Sequence, residues 1–255
     1  MSDVAKSFVD RLADGDTIVG TWVKTPHPHV VEVLARSPLD VLVLDAEHAP
    51  FDRAALDLCL LAARACDTPV LVRPACNDPA AILQALDGGA TGVLVPHVKT
   101  AMDAAACVRS SRYVPNGRGY AGSTRAAGYT TRSMAEHRAA SETPLVIAQI
   151  EDRDALDDLE GIMTTEGLGG VFVGRADLAV SLGASSMDDA AVVEAVDRIC
   201  AQASRHDMPL GMFLSRVEDV GLWRGKGATF FFLGSDQSFM LGGATALAQS
   251  VRTQA

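Results

Sequence analysis

Apolar residues are concentrated in eight short runs that recur along the chain, roughly 30 residues apart. The runs are rich in Val, Leu, Ile and Phe, and most are almost continuous in apolar residues instead of alternating with polar ones. This pattern is typical of parallel strands that are covered on both faces. The strands that it predicts are residues 17–23, 41–45, 69–73, 92–98, 144–151, 170–174, 209–214 and 229–234.

The segments between the predicted strands carry the start signals of helices. Asp78 precedes Pro79, which is the usual order of an N-cap residue and the first residue of a helix. In residues 186–206 the apolar positions form one stripe at helical spacing, which predicts a long amphipathic helix. The Ser/Thr-x-x-Asp/Glu signal predicts three helix starts, at Thr100 with Asp103, at Ser186 with Asp189, and at Ser215 with Glu218.

A strand followed by a helix, repeated eight times, predicts a (β/α)8 TIM barrel that forms one domain over residues 1–255. A doubly wound open sheet is the alternative, because it is built from the same alternating units. That fold binds nucleotides through a glycine-rich turn after its first strand. Here residues 26–29 read PHPH instead, and the barrel is therefore the favoured architecture.

One connection is much longer than is usual between a helix and a strand. Residues 114–143 separate the fourth predicted strand and its helix from the fifth strand, and they contain Arg118, Arg125, Arg132 and Arg138. The first interpretation is a segment for packing or for a subunit interface. The second is an arm that brings an arginine to an anionic substrate in a neighbouring subunit.

The chain is acidic, with a net charge of −10, and its lysines and arginines do not form a cluster. This composition argues against a nucleic-acid partner and against an anionic membrane surface. No apolar run approaches the ~20 residues of a membrane span, and the first residues lack the apolar core of a signal peptide. The five cysteines are scattered and show no CxxC spacing, which indicates reduced thiols in a cytoplasmic protein.

Polar and ionisable residues directly follow several predicted strands. In a (β/α)8 barrel the carboxyl ends of the strands meet at one face, where active sites form. Burial of such groups is unfavourable unless they are paired or bind a ligand. The residues are Asp45, Glu47 and His48 after strand 2, Arg73 after strand 3, Gln149 and Glu151 at strand 5, Asp177 after strand 6, and Ser235 and Asp236 after strand 8.

Two of these acids, Glu151 and Asp177, predict a metal site. Gln149 and Glu151 are two residues apart and therefore share a face, and Asp177 follows the neighbouring strand, ~4.8 Å away. Two carboxylates this close repel each other unless a cation or a proton lies between them. Oxygen ligands, with no Cys or His expected nearby, favour Mg²⁺ or Mn²⁺ over zinc. For Asp177 alone, a solvated loop position or a helix N-cap is the alternative.

Arg73 and His48 are candidates for charge stabilisation and proton transfer. Arg73 ends an apolar run, where a guanidinium needs an anion. That anion is either a substrate or an acidic residue on a neighbouring strand. His48 lies beside two acids, and imidazole titrates near neutral pH, so His48 is a candidate general base.

The strand-end motifs resemble those of a known family. They are D-x-E-H-x-P at 45–50, R-P-x-x-N-D-P at 73–79, Q-I-E at 149–151, G-V-F-V-G-x-x-D-L-A at 170–179 and G-S-D at 234–236. In this order, and over about residues 17 to 250, they resemble the class II pyruvate aldolases of the HpcH/HpaI aldolase/citrate lyase family. The resemblance implies a barrel of the phosphoenolpyruvate/pyruvate type and a divalent metal cofactor, Mg²⁺, Mn²⁺ or Co²⁺.

The resemblance also implies roles for individual residues, with the metal at the ends of strands 5 and 6. The implied assignments are His48, Arg73 and Asp87 for catalysis, Gln149, Ala176, Asp177 and Arg73 for substrate binding, Glu151 and Asp177 for the metal, and Asp45 and Glu47 in support.

Asp87 does not fit this picture within one chain. It ends a predicted helix, which places it at the opposite end of its own barrel from His48. If the two residues interact, they meet across a subunit boundary. The family's homohexamer, a trimer of dimers with an exchanged C-terminal helix, allows such a contact.

The implied activity is reversible retro-aldol cleavage of a 4-hydroxy-2-oxoacid to pyruvate and an aldehyde, in the breakdown of sugar acids or aromatic acids. The implied partners are small oxoacids and aldehydes. Arg125 and Arg175 are candidates for recognising the distal group of the substrate.

Three alternatives remain at this stage. A Schiff-base aldolase needs an activated lysine, and Lys24 and Lys99 fall at strand ends. An acyl-CoA lyase of the citrate lyase beta or malyl-CoA type needs a more basic surface than this acidic chain offers. A non-catalytic barrel that only binds oxoacids would have lost a ligand residue, and none of the implied ligands is missing.

Overall fold

The computed structural model describes residues 2–140 and 144–254, which form a closed barrel of eight parallel strands in chain order. Each strand pairs with the next along the chain, and the eighth pairs with the first. The predicted (β/α)8 barrel is confirmed, and the open doubly wound sheet is excluded. The strands are β1 (Ile18–Val23), β2 (Val41–Asp45), β3 (Val70–Arg73), β4 (Gly92–Val95), β5 (Leu145–Ile150), β6 (Gly170–Val173), β7 (Leu210–Leu214) and β8 (Ala228–Ser235).

Helices connect the strands and cover the outside of the barrel. None of those in the described ranges is long and apolar enough to cross a membrane. Two 3-10 helices, Arg153–Asp157 and Val217–Asp219, lie in the connections after β5 and β7. The α-helices are α1 (Asp3–Ala13), α2 (Pro28–Leu34), α3 (Arg53–Ala65), α4 (Pro79–Asp87), α5 (Ala101–Ser111), α6 (Met134–Ala140), α7 (Leu159–Met163), α8 (Arg175–Ser181), α9 (Ala190–Arg205), α10 (Val220–Arg224) and α11 (Asp236–Arg252).

Two of the predicted helix starts are confirmed by hydrogen bonds of the capping side chains. The Asp78 carboxylate accepts a hydrogen bond of 2.8 Å from the backbone N–H of Ala80, at the start of α4. Thr100 and Asp103 form a reciprocal capping box at the start of α5. These starts were predictable because each depends on residues only two or three positions apart.

The other two start signals are corrected by the structure. The helix predicted over 186–206 begins at Ala190, because the Asp189 carboxylate accepts hydrogen bonds from the backbone N–H groups of Ser185 and Ser186 and closes a turn there. The signal at Ser215 is wrong: a 3-10 helix forms from residue 217, with no side-chain cap.

Large apolar side chains fill the interior of the barrel. The rings of Trp22, Phe172, Phe230 and Phe232 pack against each other with centroid separations from 4.9 to 6.1 Å. A Cβ atom on Gly211 would lie 2.0 Å from the Phe230 ring, so this close approach requires glycine. The packed interior leaves the carboxyl ends of the strands as the face where polar side chains meet.

The five cysteines are free thiols, as predicted. Cys59, Cys107 and Cys200 are buried in the core. Burial raises the pKa of Cys59 and Cys200 to about 11 and that of Cys107 to about 12. These thiols are therefore protonated at neutral pH and pack as small apolar side chains.

The described part of the long connection, residues 114–140, packs at the end of the barrel opposite the strand-end acids. Arg118 is buried and donates hydrogen bonds from Nε and Nη2 to one oxygen of Asp87. Its guanidinium carbon lies 4.8 Å from the centroid of the Tyr113 ring. Asp87 is thus already paired within its own chain. Residues 141–143, the end of the predicted connection, lie outside the described residues.

Arg125 is held in a similar way. Its guanidinium donates hydrogen bonds of 2.9 Å to the Asp57 carboxylate and of 2.9 Å to the backbone carbonyl of Gly88. It lines a cavity of about 420 Å³ near the amino ends of β3 and β4. Arg132 and Arg138 are exposed. Within one chain the connection is a packing segment, and the arm that reaches a neighbouring subunit stays a prediction.

The C-terminal helix α11 has almost no partner in its own chain. Asp236 at its start is buried, whereas every residue from 237 to 252 is exposed. Large apolar residues at interior positions of a helix are normally covered by other elements. The exposed ones here are Phe239, Met240, Leu241, Leu247 and Val251.

Candidate active site

The acids that follow β2 are paired with the arginine that ends β3. Asp45 and Arg73 are register partners on these adjacent strands, and both are buried. Arg73 donates two hydrogen bonds to Asp45 Oδ1, from Nε at 3.0 Å and from Nη2 at 2.8 Å. The buried strand β2 can end directly in an acidic residue because the charge of Arg73 neutralises the Asp45 carboxylate. The interpretation of Arg73 as a salt-bridge partner of a neighbouring strand is confirmed.

Two further contacts fix the Arg73 guanidinium. Its Nη1 lies 3.1 Å from Glu47 Oε2, in an ion pair without hydrogen-bond geometry. Its central carbon lies 4.3 Å from the centroid of the Trp22 ring, in a cation–π contact. Because a guanidinium has five N–H donors and only two are used by Asp45, N–H groups remain for a ligand.

Glu151 follows β5, and its carboxylate is buried and held at both oxygens. Oε1 accepts a hydrogen bond of 2.9 Å from the backbone N–H of His97, and Oε2 accepts one from the side chain of Gln149. Gln149 lies on the same face two residues earlier, as predicted. A Cβ atom on Gly174 would lie 2.8 Å from Glu151 Oε2, so glycine keeps the space beside this carboxylate open.

Three side chains from separate strand ends form a cluster with the composition of a metal site. Glu47, His97 and Glu151 each place one ligand atom within 4.8 Å of the others. The His97 ring lies 3.5 Å from Glu47 Oε1 and 3.5 Å from Glu151 Oε1, and its Nδ1 lies 2.9 Å from Asp152. The expectation that no histidine lies near the acids is therefore wrong.

Buried oxygen atoms without hydrogen-bond partners mark the same region. They are Oδ2 of Asp45, Oε2 of Glu47 and Oε1 of Gln149. A buried acceptor that receives no hydrogen bond is unfavourable unless another group satisfies it. A cation or a ligand with polar hydrogens, bound between these strand ends, would satisfy such atoms.

Burial changes the pKa values of the clustered groups. It raises the pKa of Glu47, although the charge of Arg73 opposes this shift, and it raises the pKa of Glu151. Burial lowers the pKa of His97, but the hydrogen bond to Asp152 and the surrounding carboxylates outweigh that effect and raise it. Two carboxylates whose pKa values are raised by burial, one partly buried and one fully buried, are stabilised as anions when a divalent cation binds them.

The structure does not bring all predicted site residues into this cluster. Asp177 and Ala176 lie in the first turn of α8 and are exposed. Among the described residues, the group whose ligand atoms lie within 4.8 Å of one another contains Glu151 but not Asp177. The shared metal site of these two acids therefore stays a prediction.

His48 and Asp87 lie apart in one chain. His48 is exposed after β2, with its Nε2 3.9 Å from Glu47 Oε2 and its backbone N–H donating to Asp45. Asp87 is bound to Arg118 at the other end of the barrel. A contact between the proposed base and its aspartate requires a second chain.

Asp236 holds the segment that follows β1. Its buried carboxylate accepts hydrogen bonds of 2.7 Å from the backbone N–H of Lys24 and of 3.0 Å from that of Thr25. Ser235 caps α11. The Lys24 ammonium lies 3.4 Å from Asp45 Oδ2, so this lysine belongs to the same polar face.

Arg175 is turned away from the cluster. Its guanidinium carbon lies 4.8 Å from the centroid of the Trp223 ring, and its Nη2 donates a hydrogen bond of 3.4 Å to the carbonyl of Met187. These contacts give Arg175 a packing role between α8 and α10 in this chain.

His97 was missed because strand 4 was predicted too long. β4 ends at Val95, whereas the apolar run predicted 92–98. Pro96 has no N–H for the sheet, and His97 has a φ of 56°, in the left-handed region. The chain therefore leaves the sheet two residues before His97, and the backbone N–H turns to Glu151. The proline was the signal for this turn in the sequence.

Comparison with known proteins agrees with this fold and site. Residues 19–241 match the family model described as HpcH/HpaI aldolase/citrate lyase. A 5-keto-4-deoxy-D-glucarate aldolase of Klebsiella pneumoniae subsp. pneumoniae is 38% identical over 232 residues, which cover 90% of each chain. The crystal structure of a HpcH/HpaI aldolase/citrate lyase family protein from Burkholderia cenocepacia J2315 is similar with a TM-score of 0.90 and 31% identity, covering 96% of this chain and 99% of that chain. A HpcH/HpaI aldolase from Desulfitobacterium hafniense DCB-2 gives a TM-score of 0.85 at 27% identity, with coverages of 96% and 95%.

The family model matches most of the barrel, and the relatives named above align with this chain over nearly their whole length. The chain belongs to the HpcH/HpaI aldolase/citrate lyase family. It is an aldolase, and thus a carbon–carbon lyase. The resemblance of the strand-end motifs to this family is confirmed.

Proposed function

We propose that the protein is a class II pyruvate aldolase, which uses a divalent metal ion to cleave a 4-hydroxy-2-oxoacid reversibly into pyruvate and an aldehyde. The observation that supports this most directly is the pair of acids beside the fixed guanidinium of Arg73, the buried Glu151 and the partly buried Glu47. Buried carboxylates beside a fixed cation are what an enzyme needs to hold a metal ion and a developing negative charge.

The residues present fit a divalent cation. Glu47, His97 and Glu151 offer two carboxylates and an imidazole within 4.8 Å, and Gln149 adds a buried oxygen without a partner. Carboxylate and amide oxygens suit Mg²⁺ and Mn²⁺, and an imidazole nitrogen also suits Co²⁺. The pair Glu151 and Asp177 is the alternative ligand set. When bound, the ion supplies Lewis-acid stabilisation of the oxyanion.

The side chains then divide the reaction between them. His48, which is exposed after β2, accepts the proton of the C4 hydroxyl. The C3–C4 bond breaks, C4 becomes the aldehyde carbonyl, and the electron pair remains on the other fragment as the enolate of pyruvate. Arg73 donates its remaining N–H groups to the enolate oxygen. The proton that His48 has taken then passes to C3, directly or through water, which gives pyruvate and restores the base.

The surroundings of the lysines do not favour a Schiff base. A lysine nucleophile is activated by an apolar pocket or by another cation. Lys24 instead lies 3.4 Å from Asp45, and Lys99 lies 3.4 Å from Asp152. Both lysines are thus paired with aspartates, and we favour the metal-dependent mechanism.

We favour a sugar-derived oxoacid as the physiological substrate, because relatives that are 38% and 35% identical to this chain are named 5-keto-4-deoxy-D-glucarate aldolases. The expected partners are small oxoacids and aldehydes. The free cysteines support a cytoplasmic location.

An aldol-addition assay tests the proposed function. The protein is incubated with pyruvate, a panel of aldehydes and Mn²⁺ or Mg²⁺, and the products are identified by mass. We expect an adduct of pyruvate with at least one aldehyde. We also expect that EDTA lowers the rate at least about 100-fold, since the ion stabilises the oxyanion, and that added metal restores it.

Treatment with borohydride in the presence of pyruvate is the control for the Schiff-base alternative. A covalent adduct on Lys24 or Lys99, together with activity in EDTA, would contradict the metal mechanism. Cleavage of malyl-CoA or citramalyl-CoA without any aldol product would instead favour the acyl-CoA lyase alternative.

We further propose that the active assembly is a homo-oligomer, a hexamer by the family resemblance, in which α11 packs on another copy of the chain. The exposed apolar residues of α11 support this proposal, since they have no cover within one chain. An assembly would also allow Asp87 of one chain to approach His48 of another.

Charged substitutions on α11 test the assembly. We expect Leu241→Glu combined with Leu247→Glu to convert the oligomer into smaller species, because the substitutions place charges in an apolar interface. Light scattering coupled to size exclusion measures the mass. The matched control, Gln237→Glu with Gln249→Glu, adds the same charge at exposed polar positions and should keep the wild-type mass. A monomeric wild type would refute the proposal.

A further inference from the structure

We propose that Lys24 binds a second acidic group of the substrate and so makes the enzyme selective for anionic aldehydes and for dicarboxylic oxoacids. This inference rests on the proposed aldolase function, which it extends to the class of substrate. It assigns a ligand-binding role to a lysine that the proposed catalytic steps do not use.

Lys24 is held in a defined place at the mouth of the barrel. It follows β1, and its backbone N–H donates a hydrogen bond of 2.7 Å to Asp236. The next N–H, of Thr25, donates to the other oxygen of the same buried carboxylate at 3.0 Å. The segment that carries the lysine is therefore fixed at two successive residues, which is a requirement for a residue that selects substrates.

The Lys24 ammonium has hydrogen-bonding capacity to spare. Its Nζ lies 3.4 Å from Asp45 Oδ2, but that oxygen accepts no hydrogen bond in the described part of the chain. The contact is thus an ion pair that leaves the three N–H donors of the ammonium uncommitted. The side chain is 32% exposed, whereas Asp45 is fully buried. A ligand can reach the ammonium while Asp45 still neutralises part of its charge.

Lys24 lies on the same side of the mouth as Arg73. The two cations contact opposite oxygens of one carboxylate, Lys24 at Asp45 Oδ2 and Arg73 at Asp45 Oδ1. A small oxoacid whose enolate oxygen meets Arg73 therefore has its distal end within reach of the ammonium. Glu47 lies 3.1 Å from the same guanidinium, and Glu151 belongs to the same cluster of ligand atoms as Glu47. The geometry thus gives one substrate a metal-binding end and a cation-binding end.

The other cations considered for the distal group are engaged elsewhere in this chain. Arg175 stacks on Trp223, and Arg125 is bonded to Asp57 at the opposite end of the barrel. A second carboxylate would otherwise enter a face that is lined by several acids of a chain with a net charge of −10. A cation at this mouth offsets that repulsion.

Matched aldehydes measure the selectivity. The aldol addition of pyruvate, with Mn²⁺, is followed for two pairs that differ in charge: glyoxylate against glycolaldehyde, and succinic semialdehyde against butanal. In Lys24→Ala we expect kcat/KM for the anionic member of at least one pair to fall about 10- to 100-fold more than for its neutral partner, the effect of losing one hydrogen bond to a charged group. Lys24→Arg keeps the positive charge and should retain most of the preference.

Lys99→Ala is the matched control, because it removes the same charge from the same face and an ion pair of the same 3.4 Å length. It should leave the ratio of anionic to neutral rates near the wild-type value. An equal loss of selectivity in Lys24→Ala and Lys99→Ala would overturn the proposal. It would show that the overall positive potential of this face, and not a direct contact of Lys24 with the substrate, causes the selectivity. Equal losses for both members of both pairs would overturn it as well.

A binding measurement separates this inference from the proposed function. Calorimetric titration of 2-oxoglutarate and of 2-oxopentanoate, which differ in the terminal carboxylate, needs no turnover. Tighter binding of 2-oxoglutarate that is lost in Lys24→Ala supports the inference even if no aldol product forms. Equal affinities in the wild type overturn it, whereas the absence of any metal-dependent aldol product overturns only the proposed function.

Discussion

Replacing Glu151 by glutamine is expected to lower the rate of pyruvate release about 1,000-fold, with a matching loss of metal affinity. The substitution keeps the shape of the side chain and its position between His97 and Gln149, but it removes the negative charge that would face the cation. Steady-state rates, measured as pyruvate release over a range of Mn²⁺ concentrations, together with calorimetric titration of the metal, test this result.

The control for this prediction is Glu160→Gln, which makes the same change at an exposed position of α7. Its rate and metal affinity should match those of the wild type. If Glu151→Gln binds Mn²⁺ as tightly as the wild type does and turns over at a similar rate, then Glu151 is not a ligand. Asp177→Asn then shows whether the acid after β6 has that role.

Replacing Arg73 is expected to damage both activity and stability. In Arg73→Lys the rate should fall about 100-fold or more, because an ammonium cannot reproduce the two-point contact with Asp45 and still donate to the enolate. In Arg73→Met the free energy of unfolding should fall by about 3–5 kcal/mol, because the buried Asp45 carboxylate loses its principal partner. Denaturant unfolding and the pyruvate assay measure the two effects.

The chain provides a surface counterpart for this arginine. Arg216 also contacts an aspartate through Nε and Nη2, but its side chain is 69% exposed. The same substitutions there should change stability little, since solvent screens the pair. If Arg73→Met were as stable as Arg216→Met, the buried pair at the end of β2 would not stabilise the fold.

Most of the fold was predictable because it depends on local patterns. Continuous apolar runs are required wherever a parallel strand is covered on both faces, and all eight such runs became strands. The start of α5 was predictable for the same reason, since Thr100 and Asp103 lie in one turn. Where a start signal competed with another local contact, as at Ser215, the prediction was wrong.

The candidate site was predictable only in part. The topology of a barrel brings all carboxyl strand ends to one face, and so Asp45, Arg73 and Glu151 were expected together. Which of them pair depends on the register between strands, such as Asp45 opposite Arg73. His97 entered the cluster through a backbone turn after β4, which the hydrophobic pattern did not reveal.

By itself, the sequence determined the barrel, the face that carries the chemistry and the family, because each follows from residue types that recur at short, regular spacings. Only the tertiary structure decided the partners: Arg73 with Asp45 and Glu47, Asp87 with Arg118, and Lys24 at the edge of the mouth. These contacts join residues far apart in the chain, and their strength depends on burial and on distances of a few ångströms. A linear pattern contains neither quantity, since both arise when the strands close into a barrel.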